Sequence, residues 1–149
     1  MKKHVVTAIT IALTFFAATS LQAADAEART FDAFLGQWDN ADPNTRGITR
    51  VEVFKKDGKM RVRAWGRCHP TECYWGESEA NSIIDGEPFL HVLWMESFKD
   101  ETQKITIAPS GELKVESSSH FTDDSGRKDR TGYYTFRRGW SRNWSDEKN

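Results

Sequence analysis

Apolar and polar residues alternate along most of the chain. The alternating runs are short and are separated by residues typical of turns. The alternation is clearest on both sides of the Asp57-Gly58 pair, a strong signal for a hairpin with a two-residue loop. Such a loop places Val53 opposite Val62 and Val51 opposite Ala64, so these apolar side chains share one face. The other face then carries aromatic–cation and ion pairs: Phe54 with Arg61, Glu52 with Arg63, and Arg50 with Trp65.

The same pattern predicts further short strands and almost no helix. A three-residue loop at 109–111 sets Ile107 opposite Leu113, with proline and glycine where this loop type takes them. Residues 88–97 have apolar side chains at both odd and even positions, which predicts that both faces of that strand are buried against other parts of the protein. Only residues 25–34 favour a helical turn. The predicted strands are 35–40, 47–56, 59–67, 73–80, 88–97, 103–108, 112–120 and 132–138.

About eight short strands joined mostly by hairpins predict an all-β fold. An open sheet of this kind exposes edges that pair with other chains, and closure into a barrel removes those edges. We therefore expect one domain at 24–138, an antiparallel up-and-down β-barrel with a short N-terminal helical turn. Residues 139–149 are polar apart from two tryptophans, and we predict a disordered tail there.

Residues 1–23 have the three parts of a secretory signal peptide. Lys2 and Lys3 begin the segment, an apolar run follows, and Ala23 provides a small residue at the cleavage site. Cleavage after Ala26 is an alternative. The apolar run is short for a membrane-spanning helix. We expect a secreted or periplasmic protein with no membrane span once the signal peptide is removed.

The charge balance argues against two classes of partner. Residues 1–23 contain two of the lysines and no acidic residue, so their removal leaves 19 basic and 22 acidic residues and a formal charge of −3. Nucleic-acid binding needs a basic footprint, and anionic lipid surfaces attract polybasic segments. We expect neither nucleic acid nor an anionic membrane surface as a partner.

Both cysteines lie in the stretch 65–76, which has a Trp-Gly pair on each side of a proline-containing loop. An even cysteine count in an exported chain favours a disulfide. A bond between Cys68 and Cys73 across a four-residue loop gives a register in which each tryptophan covers a glycine. We therefore predict a hairpin tip held by a disulfide, named here the stapled tip. The predicted pairs are Gly66 with Trp75 and Trp65 with Gly76.

We expect neither a metal site nor catalysis. Cys68, His69, Glu72 and Cys73 have a spacing that zinc knuckles use, but the chain has no second cysteine pair. It also has no Gly-x-Ser-x-Gly and no His-Glu-x-x-His motif. The sequence therefore predicts a non-catalytic protein that carries no metal or other cofactor.

The strand after the stapled tip is polar for a barrel wall. If the alternation runs unbroken, Trp75, Glu77 and Glu79 share the inner face. A β-bulge would instead turn both glutamates outward. The sequence leaves the two alternatives open.

The segment Gly36-Gln37-Trp38-Asp39-Asn40 resembles the opening of the calycin superfamily, the lipocalins and avidins, whose first strand carries Gly-x-Trp. The resemblance implies a small closed barrel in which a basic residue of the last strand, Arg137 or Arg138, packs over Trp38. The continuation after Asn40 departs from biotin-binding barrels, which have small hydroxyl residues there. The tip motif W-G-x-C-H-P-T-x-C-x-W-G is also similar to that of a family of small exported bacterial proteins of unassigned function.

Two binding hypotheses follow, and aromatic residues are central to both. In the first, a small molecule binds in the barrel interior, at a site formed by Trp38, Trp75, Trp94, Glu77 and Glu79. In the second, the stapled tip binds a protein or glycan, for example as an inhibitor, through Arg50, Trp65, His69 and Tyr74. A third hypothesis is an envelope protein with no soluble ligand.

Overall fold

The structure is a computed structural model that describes residues 30–69 and 71–139. The chain divides into two compact units, Met1–Ala33 and Phe34–Asn149. Of the first unit, only residues 30–33 are described, so the predicted signal peptide lies outside the described residues. The predicted helical turn is confirmed in its last part, where a short 3-10 helix covers Asp32–Phe34. Of the predicted tail, only Gly139 is described.

Eight antiparallel strands form a closed barrel in which each strand pairs with the next along the chain and the last pairs with the first. The predicted all-β, up-and-down architecture is confirmed. Short hairpins between sequential strands explain the topology, because neighbours in the chain are also neighbours in the sheet. The strands are β1 (Gly36–Asn40), β2 (Ile48–Lys56), β3 (Lys59–Arg67), β4 (Glu72–Asp85), β5 (Glu87–Met95), β6 (Lys99–Ile107), β7 (Leu113–Phe121) and β8 (Arg130–Arg138).

The β2–β3 hairpin has the predicted register. Asp57 and Gly58 both have positive φ values, 53° and 74°, as a tight two-residue hairpin turn requires. Val53 faces Val62, and the outer-face residues lie opposite one another as expected, but the guanidinium over the Phe54 ring is that of Arg63, 4.2 Å from the ring centre, and not that of Arg61. The second predicted turn is also confirmed, since Ile107 faces Leu113 across the β6–β7 loop.

The prediction that β5 is covered on both faces is wrong. Leu90, Val92 and Trp94 are buried in the interior, but Leu93 is 45% exposed and Met95 is 78% exposed on the outer face. The apolar run at both parities therefore reflects isolated apolar residues on the surface of the barrel, which are common in soluble proteins.

One end of the barrel is filled by apolar side chains. Trp38 is buried there, and its indole N–H donates to the Phe34 carbonyl oxygen at 2.8 Å. The Arg138 guanidinium stacks on the Trp38 ring at 3.9 Å from the ring centre, which confirms the predicted cover by the last strand. This packed end is built mainly from Phe34, Trp38, Val53, Val62, Leu90, Ile105, Leu113 and Phe136.

The Cys68–Cys73 disulfide forms, with 5.5 Å between the Cα atoms, but the predicted register of the stapled tip is wrong by two residues. Cys73 lies opposite Gly66, because the Cys68 amide donates to the Thr71 carbonyl and the turn is shorter than expected. Trp75 nevertheless covers Gly66, since a Cβ there would lie 2.6 Å from the indole Nε1. The other predicted cover is wrong: nothing lies within 4 Å of a Cβ built on Gly76.

A β-bulge decides the direction of the β4 glutamates. The pairing of β3 with β4 shifts between Ala64 and Trp65, and the opposing Gly76 has a φ of 105°. The alternation resets there, so Glu77 and Glu79 lie on the outer face. Their ion-pair partners are Lys56, Arg61 and Arg63 for Glu77, and Lys59 and Arg61 for Glu79.

Candidate ligand-binding site

The other end of the barrel is open and holds a cavity of about 930 Å³, named here the mouth cavity. The ends of β1, β3, β5 and β7 and the loops that follow them surround this end of the barrel. The β1–β2 loop at 41–47, the inner faces of β6 and β7, and the start of β8 supply most of the lining. The volume is within the range of pockets that bind small molecules.

A buried ion pair lies at the inner wall of the mouth cavity. The Lys99 ammonium is 2.5 Å from one carboxylate oxygen of Glu101, and the two side chains are only 10% and 5% exposed. Ser119 donates to the same carboxylate oxygen at 3.2 Å. Ser117 and the Gln103 amide donate to the other oxygen, at 2.5 Å and 3.5 Å. All four donors therefore converge on one carboxylate.

Strand alternation explains how the sequence brings these groups together. Lys99, Glu101 and Gln103 have the same parity as the buried Ile105, so β6 points its polar half and its apolar half into one interior. On the partner strand, Ser119 lies directly opposite Glu101. This site is not among the sequence predictions, because residues 98–102 fall between the predicted strands 88–97 and 103–108 and are expected to form a turn. The parity shared with Ile105 is the signal that could have found it.

The environment of Glu101 favours its charged form. Burial opposes ionisation, but the hydrogen bonds from Lys99 and Ser117, the charge of Lys99 and the Gln103 amide together hold the pKa of Glu101 below its usual value. Tyr134, whose hydroxyl also lines the cavity, has a raised pKa because of burial and of the nearby Glu101 charge. At neutral pH the site therefore contains the Glu101 carboxylate and the neutral phenol of Tyr134.

Two tryptophans complete the inner wall. Trp75 lines the mouth cavity, and its ring meets that of Trp94 edge-on at 6.2 Å between centroids. The Lys99 ammonium lies 5.1 Å from the centre of the Trp75 ring, within cation–π range. Among the described residues, two buried polar atoms of this region have no hydrogen-bond partner, the Trp94 indole Nε1 and the Gln103 amide oxygen. A donor and an acceptor thus remain unsatisfied beside the ion pair.

The stapled tip fixes one rim of the cavity. Arg67, next to the disulfide, donates to the carbonyl oxygens of Pro43 at 2.7 Å and Thr45 at 3.2 Å. The Gly47 carbonyl accepts a further bond from the Arg67 amide at 2.9 Å. Across the mouth, a Cβ on Gly47 would collide with the Tyr134 ring, so this glycine gives the ring its space. The β1–β2 loop is therefore held in place from both sides.

The structure brings together only part of the interior site that the sequence predicts. Trp75 lines the mouth cavity and Trp94 packs behind it. Trp38 belongs to the packed end, where Arg138 covers it. Glu77 and Glu79 point outward, so their assignment to the interior site is wrong; the bulge at the stapled tip is the physical reason.

The second binding hypothesis requires an accessible Trp65 ring on the stapled tip, and the structure buries that ring. Trp65 does lie on the outer face beside Arg50, whose guanidinium carbon is 4.4 Å from the ring centre, but the residue is only 8% exposed. Tyr74 packs on the same ring at 5.2 Å and is itself 54% exposed. Arg50 also pairs with Glu72 at 2.7 Å. His69 is exposed in the turn.

Comparisons with known proteins add no relative to this description: no family model matches the chain, and neither a curated protein nor a solved structure does. Within residues 30–69 and 71–139, no helix is long and apolar enough to cross a membrane. In the same residues, no group of three or more His, Cys, Asp and Glu side chains is arranged to hold a metal ion.

Proposed function

We propose that the protein is a non-catalytic binding protein that holds a small polar molecule in the mouth cavity. The observation that supports this most directly is the change of interior character along the barrel. Its packed end is apolar, whereas its open end has a cavity of about 930 Å³ beside the buried Lys99–Glu101 pair. Barrels of eight strands have interiors that side chains can fill completely. This one has an open, polar cavity at one end.

The cost of the ion pair strengthens the proposal. Removing a carboxylate and an ammonium from water costs several kcal/mol per ion, and a well-packed apolar pair of similar size is often as stable or more stable. Stability alone therefore gives no reason to place Lys99 and Glu101 inside the barrel. Ligand recognition does, because a preorganised charge and hydroxyl array orients a polar molecule.

The residues that line the mouth cavity offer different kinds of contact to different parts of a ligand. Trp75 offers a ring face, and the Tyr134 hydroxyl offers a donor and an acceptor. Deeper in the wall, the unsatisfied indole N–H of Trp94 and amide oxygen of Gln103 are a free donor and a free acceptor. Neither residue lines the mouth cavity, so a bridging water would link these atoms to a ligand.

The finer parts of the identity also stay proposals. The closed eight-stranded barrel and the Arg138 cover over Trp38 support the calycin resemblance. The Cys68–Cys73 disulfide supports an oxidising compartment, either the periplasm or the extracellular space. Binding of a protein or glycan at the stapled tip loses its main support, because Trp65 is 8% exposed and its ring is covered by Arg50 and Tyr74.

The test uses thermal unfolding and tryptophan fluorescence of the purified protein with a panel of amino acids, hydroxy acids, keto acids, sugars and nucleosides. A true ligand at 100 times its Kd should raise the free energy of unfolding by about 2.7 kcal/mol. The matched pair of variants is Ser119→Phe, which fills the mouth cavity, and Ser118→Phe, the adjacent residue on the outer face, whose hydroxyl contacts Thr131 at 3.0 Å.

We expect at least one compound to stabilise the wild type and Ser118→Phe but not Ser119→Phe. Equal stabilisation of both variants would contradict binding in the mouth cavity. A panel in which no compound stabilises the wild type would contradict the proposed function. If Tyr74→Ala abolishes binding while Ser119→Phe retains it, the stapled tip is the binding site.

A further inference from the structure

The arginines of the described residues fall into three groups. Five of them pair with a carboxylate: Arg50, Arg61, Arg63, Arg127 and Arg137. Two donate to backbone carbonyls instead, Arg67 to the β1–β2 loop and Arg138 to Leu35. Of the arginines in residues 30–69 and 71–139, only Arg46 and Arg130 form neither an ion pair nor a side-chain hydrogen bond to a described residue.

Both of these arginines line the mouth cavity. Arg46 comes from the β1–β2 loop and Arg130 begins β8, so two separate elements each contribute one exposed arginine to the lining of the same cavity. The acid of the lining loop, Asp42, accepts the Asn44 amide at 2.9 Å, and Asp129, the chain neighbour of Arg130, pairs with His120 at 2.8 Å. Arg130 lies close enough to Tyr134 to oppose part of the rise in the pKa of that phenol.

The charge of the lining is positive, although the chain as a whole carries a formal charge of −1. Among the described residues that line the cavity, four are basic and two are acidic. Lys99 and Glu101 neutralise each other at 2.5 Å, which leaves the arginines of the rim in excess over Asp42. A concave site with an excess of one sign concentrates ligands of the opposite sign.

We propose that the ligand of the mouth cavity is a small organic carboxylate, bound with its anionic group at Arg46 and Arg130 and its uncharged part toward Trp75. This inference rests on the proposed function and names the ligand class. A guanidinium binds a carboxylate through parallel charge-assisted hydrogen bonds, which are stronger than bonds to neutral acceptors. Neither guanidinium has to release a protein carboxylate before it takes one from the ligand.

The experiment compares acids with their primary amides, which differ in charge but hardly in size. The probes are lactate and lactamide, benzoate and benzamide, and indole-3-acetate and indole-3-acetamide. Binding to the wild-type protein is measured by tryptophan fluorescence or calorimetry. We expect the acid of at least one pair to bind about tenfold more tightly than its amide, equal to about 1.4 kcal/mol. The Kd of that acid should also rise with salt, because partly exposed charges are screened.

The double variant Arg46→Gln/Arg130→Gln tests the preference without breaking an ion pair or a side-chain hydrogen bond among the described residues. We expect the acid to lose about tenfold in affinity and the amide to stay within about twofold. Arg137→Gln is the control for the loss of a surface positive charge: it removes one charge where the double variant removes two, and it lies 71% exposed at the packed end, where it contacts Glu112. It should leave both affinities unchanged.

The outcomes separate this inference from the proposed function. If amides and acids bind equally, or if the double variant keeps the acid preference, the carboxylate assignment is overturned while small-molecule binding stands. The carboxylate assignment is also overturned, and small-molecule binding stands, if none of the six probes binds but a neutral compound of the wider panel does. If no compound of either set binds, both proposals are overturned.

Discussion

Replacement of Lys99 by methionine tests whether the charge of Lys99 stabilises the buried Glu101 carboxylate, as their 2.5 Å contact implies. The substitution shortens the unbranched side chain by one atom and removes its charge, so Glu101 stays buried without its cation. Breaking a buried ion pair in this way costs about 3–5 kcal/mol. The mouth cavity gives Glu101 some access to water, so we expect the lower end, about 3 kcal/mol at pH 7.5.

The stability of the wild type and that of the variant should change in opposite directions with pH. In the wild type the pKa of Glu101 is lowered, so its ionised form stabilises the fold above the ordinary carboxyl pKa, and this contribution is lost as the pH falls through the folded-state value. Without Lys99, burial outweighs the hydrogen bonds that remain and the pKa should rise above the ordinary value. The variant then loses stability as the pH rises toward neutrality and regains it as the pH falls.

Urea unfolding at pH 7.5 and pH 5 measures both effects. A loss of about 3 kcal/mol should lower the urea midpoint by roughly 2 M, and the deficit should shrink at pH 5. Lys104→Met is the control on the outer face of the same strand, where the ammonium lies 4.6 Å from the Phe89 ring centre. The reasoning is refuted if Lys99→Met matches the control at both pH values, or if its deficit grows as the pH falls.

Three further predictions address the stapled tip and its bulge. Reduction, or replacement of Cys68 and Cys73 by serine, should cost about 2 kcal/mol in denaturant unfolding, because the bond closes a short loop; an unchanged midpoint would contradict this. Gly66→Ala should displace the Trp75 indole, lower stability by about 1–3 kcal/mol and change the near-ultraviolet circular dichroism; unchanged spectra would count against that contact. Glu77→Gln should leave ligand binding intact, because its ion pairs lie on the outer face; loss of binding would place it inside.

The sequence predicts the fold where turn chemistry and alternation agree. Asp57-Gly58 fixes the β2–β3 register, because a two-residue loop with two positive φ values admits one pairing and both faces suit it. The same holds for the proline-glycine loop before β7. At the stapled tip, the disulfide allows more than one register, and Gly76 accommodates a bulge that alternation alone does not reveal.

The candidate site could be predicted only in part, because its polar groups look like surface residues in a sequence. Lys99 and Glu101 are residue types that are almost never fully buried unless paired, and the pairing is a tertiary contact. Trp75 could be predicted as an interior residue because strand alternation, carried through the stapled tip, places it on the inner face. Arg46 and Arg130 stand out only once every other described arginine has a partner, which requires coordinates.

The strand order has a consequence for how the chain folds. Seven of the eight strand pairings join neighbours in the chain, whereas the pairing of β1 with β8 brings together segments about as far apart as Leu35 and Arg138, which are 103 positions apart. Local hairpins form faster than pairings of such high sequence separation, so closure is the slow step. Until it occurs, β1 and β8 are open edges, and two unclosed chains can pair through them. Dilution during refolding should therefore favour the closed monomer.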